Sequence, residues 1–136
     1  MTLTLKEART IIDGAAAKAA ELGQKVAIAV LDATGRVISL DQTDGAKLNR
    51  DRLATGKAYA AVLLEQRTSD AKDLYDKNPT RYLSLLAMFP GQLYISFGGG
   101  VPLEADGGIV GAIGVAGASH GLDDQICEAG IAAWQT

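Results

Sequence analysis

Cysteine occurs once, as Cys127, so no internal disulfide can form, and histidine occurs once, as His120. Two such side chains are too few for a dedicated transition-metal cage, and no metal site is expected. Aromatic residues make up 5% of the chain and proline occurs three times, which excludes a large aromatic core and Pro-rich linkers. No apolar run approaches the roughly 18 residues of a membrane span. The start, Met1-Thr2-Leu3-Thr4-Leu5-Lys6-Glu7, lacks the basic and apolar regions of a secretory signal. The expectation is a cytoplasmic protein with no membrane partner. A net charge of -3 removes the electrostatic footprint of a nucleic-acid binder, so no nucleic-acid partner is expected either. Nucleophile elbows and triad spacings are missing as well.

What is abundant is glycine, with 16 residues in 136, in a chain of a length that suits one domain, 1–136. The densest stretch runs from Gly98 to Gly117. Val101 to Ala105 reads as a strand, Asp106-Gly107-Gly108 as a turn using positive φ, and Ile109 to Ala116 as the return strand. That return strand is almost wholly apolar, which implies cover on both faces and a central place in a sheet. Gly111 and Gly114 leave room for a helix, another chain or a ligand to come close to the backbone.

Elsewhere, Thr4 and Glu7 form a capping box ahead of an amphipathic, alanine-rich helix that ends at Gly23. Val26 to Leu31 reads as a buried strand, Asp32-Ala33-Thr34-Gly35 as a turn and Arg36 to Gln42 as its half-exposed partner. Asn49 is the expected N-cap of a helix from Arg50 through Leu64. A shorter helix begins at Thr68-Ser69-Asp70 and is broken by Asn78-Pro79, and Pro79 opens a further helical stretch that Pro90-Gly91 stops. Leu93 to Phe97 is expected as a strand, and a last helix carries Leu122, Ile126, Gly130 and Trp134 at helical spacing. Strands that arrive as hairpins argue for an α+β domain, an antiparallel sheet with helices packed on it.

The segments Asp32-Ala33-Thr34-Gly35, Thr43-Asp44-Gly45-Ala46, Ala54-Thr55-Gly56-Lys57-Ala58-Tyr59-Ala60-Ala61, Arg67-Thr68-Ser69, Gly99-Gly100-Val101-Pro102-Leu103 and Val110-Gly111-Ala112-Ile113-Gly114-Val115 together resemble the GlcG/HbpS family, which includes haem-binding HbpS and the C-terminal domain of PduO. The resemblance spans nearly the whole chain. It implies a profilin-like fold around a five-stranded antiparallel sheet, in the order α-β-β-α-α-β-β-β-α. It also implies homo-oligomers, as dimers or larger rings, and haem as a possible cofactor. Histidine and cysteine serve as axial haem ligands in the PduO domain; His120 and Cys127 are the residues of those types here.

Several side chains are candidates for chemistry. Arg50, Arg52 and Lys57 lie on the helix after Asn49, where Arg50 and Lys57 are two turns apart on one face and can point at one anionic group. These charges can equally form a solvated face. Gly99 and Gly100, followed by Val101 and Pro102, can form a pocket wall opposite that helix or simply lead into the hairpin. His120 precedes the last helix and can act as a general base or an axial ligand, or be a loop residue in water. Glu104 is a candidate for proton transfer beside the hairpin turn. Cys127 reads as a small core residue.

Two functions follow. The first is a binding protein for haem or a small anionic organic ligand at or near a subunit interface, using Arg52, Lys57, Gly99, Gly100, Val101, Pro102 and His120. The second is a cofactor-free lyase, isomerase or hydrolase of a small organic acid, in which Lys57 or Arg52 fixes the carboxylate and His120 or Glu104 moves a proton.

Overall fold

The computed structural model describes residues 1–119 and 121–136, so His120 lies outside the described residues. Helix α1 (Leu5–Glu21) is followed by strands β1 (Ala27–Asp32) and β2 (Val37–Gln42), then by α2 (Arg50–Leu64), α3 (Ala71–Lys77) and α4 (Pro79–Met88). Strands β3 (Gly100–Ala105) and β4 (Gly108–Ala116) and helix α5 (Leu122–Gln135) complete the chain. A 3-10 turn, Thr68–Asp70, leads into α3. Among the described residues no helix is long and apolar enough to cross a membrane.

The strands form one antiparallel sheet in the order β2-β1-β4-β3. The apolar return strand β4 is therefore central, paired with β1 on one side and β3 on the other. Its partner β1 is equally dry, from Ala27 to Leu31. Pro102, which has no N–H to give to a ladder, sits on the edge strand β3.

The expected five strands are four. Leu93–Phe97 alternates like a strand but makes no sheet pairing, because its polar groups are engaged elsewhere. The Tyr94 amide donates to the Gly56 carbonyl of α2 at 3.3 Å, and the Tyr82 hydroxyl donates to the Ile95 carbonyl at 2.7 Å. Gly56 makes this possible, since a Cβ there would lie 2.7 Å from that of Tyr94. The observed order is α-β-β-α-α-α-β-β-α.

Alternation along β1 and β4 sends large side chains one way and small ones the other. Ile28, Val30, Ile113 and Val115 pack with Ile11, Ile12 and Ile126 under α1 and α5. Ala27, Ala29, Ala112 and Ala116, with Leu31 as the large exception, face Ala54, Ala58 and Ala61 of α2. Helix α1 starts with the capping box read from the sequence, the Glu7 amide donating to the Thr4 hydroxyl at 3.1 Å. The Trp134 indole of α5 donates to the Glu7 carboxylate at 2.8 Å, and this bond is the main reason that carboxyl titrates below its usual range.

Candidate functional site

The glycine-rich return strand marks where α2 crosses the sheet. A Cβ at Gly114 would overlap the Ala54 carbonyl oxygen and stand 2.8 Å from the Ala58 nitrogen. The space opened by the missing side chain is therefore filled by the backbone of α2, and no ligand can sit between hairpin and helix at that point.

The same crossing consumes Lys57. Its side chain is 8% exposed, and its ammonium donates to the Val115 carbonyl at 2.9 Å and to the Asp123 carboxylate at 3.0 Å. Asp123 also accepts from the Ala118 amide at 3.0 Å, and Asp124 accepts from the Gly99 amide at 2.8 Å. The Gly100 amide donates to Thr68 at 3.0 Å. The first turn of α5 thus ties down both the start of β3 and the end of β4. Gly99 and Gly100 do meet Lys57, but by close packing, and their amides already have acceptors.

Arg50 faces the same end of β4, its side chain beside Gly117, and its guanidinium donates to the Leu48 carbonyl at 3.1 Å. Asn49 occupies the N-cap position in a left-handed conformation (φ 71°) without a side-chain capping bond.

Arg52 points elsewhere. It is exposed and forms no ion pair or side-chain hydrogen bond with any described residue. It overlooks two adjoining hollows, of about 560 and 290 Å³, that share Arg52, Gly56, Gly91 and Gln92. The larger continues over Asp51, Thr55 and Tyr59 to the β1–β2 turn at Gly35 and to Leu40. Its shape comes from two glycines. Gly91 (φ +77°) leaves the guanidinium clear, and Gly35 (φ +83°) lets the Tyr59 ring lie against the turn. Asp32 shapes that turn by accepting from the Thr34 hydroxyl at 2.6 Å and from the Thr34 and Arg36 amides. Slight burial works against its ionisation, but these bonds outweigh it and hold the carboxyl below the usual range.

Among the described residues, the remaining candidates do not join Arg52. Val101, Pro102 and Glu104 border a separate hollow of about 410 Å³ with the Arg67–Glu128 ion pair. Cys127 is fully buried with its thiol toward the Gly99 carbonyl, and burial pushes its pKa well up, opposing thiolate formation. No cluster of metal-ligating side chains occurs among the described residues.

The sequence reading gave Gly91 only the part of a helix stop and placed neither Tyr59 nor Gln92 among the ligand-binding residues. The signal for Tyr59 was present, since residues 52, 55, 56 and 59 follow the one-face helical spacing. Nothing local brings the 91–94 segment to that face.

Residues 3–132 match the model of the family described as haem degrading protein HbpS-like. The chain belongs to this family. Among HbpS-like proteins it is similar to corrinoid adenosyltransferase PduO of Citrobacter freundii, with 30% identity over 133 residues; the match takes in 98% of this chain but 39% of that protein. A crystal structure of a PduOC–haem complex superposes with a TM-score of 0.88 at 28% identity, covering 98% of this chain and 95% of the other. A double mutant of Streptomyces reticuli HbpS superposes at 0.84 with 35% identity, covering 97% and 86%. The family reading of the sequence therefore holds, with four strands in the sheet instead of five.

Proposed function

We propose that this HbpS-like chain is a small-molecule binding protein that holds a carboxylate-bearing organic ligand, haem first among them, in the groove along α2. The observation that carries the reading is Arg52: an exposed guanidinium with no partner among the described residues, set over a concave surface walled by Tyr59 and Leu40. A guanidinium can take a carboxylate through two parallel N–H bonds, and the walls supply apolar cover for a flat ring.

The residues present fit haem in part. Arg52 would hold a propionate, and Tyr59 and Leu40 would cover the ring. Tyr59 and Tyr94 are the lining residues of a haem-ligating type. Cys127 does not fit, because its thiol is sealed in the core and its protonated form is favoured. Haem, when bound, supplies an iron centre for redox or oxygen chemistry. The kinship with a domain crystallised as a PduOC–haem complex supports haem as the first ligand to try.

Hemin titration followed in the Soret region tests the reading. A saturable band is expected, with affinity about tenfold weaker in Arg52→Ala, the loss of about 1.4 kcal/mol in binding. Cys127→Ala should leave the band in place. Absence of saturable binding by hemin and by small mono- and dicarboxylic acids would overturn the function, and unchanged affinity in Arg52→Ala would overturn the groove.

A further inference from the structure

Asp51 stands next to Arg52 in the wall of the larger hollow and is partly buried there. Its backbone carbonyl accepts from the Thr55 hydroxyl at 2.9 Å, but its carboxylate makes no hydrogen bond or ion pair with any described residue. The ion pairs of the described residues lie elsewhere, from Lys18–Glu21 on α1 to Lys72–Asp76 on α3. Nor do Asp51 and Arg52 neutralise each other, because adjacent helical residues point roughly 100° apart.

A carboxylate in the first turn of α2 is favoured by the helix dipole whichever way it points. The dipole does not require a place inside a hollow, where lost water makes an unpaired charge costly. The lining of the hollow therefore carries one charge of each sign, both without a partner among the described residues. A ligand with a single negative end satisfies Arg52 and leaves Asp51 as it was.

Resting on the reading that this groove binds a carboxylate, we infer that among small ligands it selects a dipolar one, an amino acid whose ammonium and carboxylate are separated by a short carbon chain. Arg52 takes the carboxylate and Asp51 the ammonium. Because the two side chains diverge, a ligand that meets both must hold its charges apart, unlike an α-amino acid with both on one carbon. The Thr55 hydroxyl, one turn along α2 from Asp51, spends its hydrogen on the Asp51 carbonyl and keeps a lone pair for an ammonium N–H. Leu40 and the Tyr59 ring give apolar cover to the methylenes, and the Gln92 amide offers both a donor and an acceptor. A dicarboxylate of the same length brings its second charge toward Asp51 and is repelled.

Isothermal titration with compounds of one chain length tests the inference: 5-aminopentanoate, glutarate, pentanoate and pentylamine. The native chain should bind 5-aminopentanoate about tenfold more tightly than pentanoate, with glutarate no tighter than pentanoate. Asp51→Asn should bring 5-aminopentanoate and pentanoate within about twofold of each other, and Asp51→Lys should turn the preference to glutarate. A native chain that binds pentanoate or glutarate as tightly as 5-aminopentanoate overturns the inference and leaves carboxylate binding in the groove standing. So does saturable binding of hemin with none of these compounds. A preference for 5-aminopentanoate that survives Asp51→Asn overturns the part given to Asp51. Binding by neither hemin nor any of the acids overturns the inference and the reading it rests on together. Should a variant fail to fold, the order of affinities on the native chain decides.

Discussion

The two faces of the sheet are built on opposite plans. Under α1 and α5, Ile11, Ile12, Ile28, Ile113 and Ile126 fill space with branched side chains. Under α2, alanines and Gly114 remove side chains until backbone meets backbone. The first face gains stability from the volume it buries, the second from closeness, and closeness leaves less tolerance for an added atom than volume leaves for a lost one.

Adjacent residues of β4 put the contrast most sharply. Gly114→Ala adds a methyl against the α2 backbone and should cost about 4 kcal/mol or prevent folding, at the extreme of single substitutions. Ile113→Ala removes three carbons on the opposite face and should cost about 3 kcal/mol. Gly108→Ala, at an open tip with φ outside the left-handed region, should stay within about 0.5 kcal/mol of the native chain. Urea melts of the three rank them, and a Gly114→Ala protein as stable as the native chain would end the distinction between the faces.

Lys57 tests whether closeness on the α2 face also depends on the buried Lys57–Asp123 ion pair. Lys57→Met keeps the length of the side chain but leaves an Asp123 oxygen and the Val115 carbonyl without their donor. Complete burial of such a pair would make the loss about 3–5 kcal/mol. Because the Asp123 side chain is 17% exposed and water can replace part of the interaction, about 2 kcal/mol is expected by urea denaturation. No loss would show that the pair is dispensable to the crossing.

The smallest effect concerns the groove beside α2. The Asp32 carboxyl titrates below its unfolded value, so its contribution to stability is present above the ordinary aspartate range and fades as pH falls through the lower, folded value. Asp32→Asn should therefore lose stability at pH 6 and converge with the native chain near pH 2. An equal gap between the two urea midpoints at both pH values would remove Asp32 from the acid response.

Much of this architecture was legible locally. Thr4 and Glu7 announced α1, the dry run Val26–Leu31 announced a strand covered on both sides, and the glycine-rich return strand announced both its central place and a close approach. Leu93–Phe97 misled because alternation records which side chains are buried and not what the backbone bonds to; α2 and Tyr82 took the polar groups that a neighbouring strand would have used. Lys57 and Arg52, read together as ligand groups, diverge for a similar reason. Five residues apart on a helix they point to different surfaces, one against Asp123 and the other over the open groove.

The sequence by itself determined the family and every element but the strand expected at Leu93–Phe97, because caps, turn glycines and apolar periods act over a few residues and recur as motifs along the chain. Tertiary structure decided what occupies the space above Gly114, that Lys57 is paired while Arg52 is left exposed, and where a groove opens. Those outcomes depend on segments such as residues 50–59 and 91–94 meeting in space, and no local preference encodes that meeting.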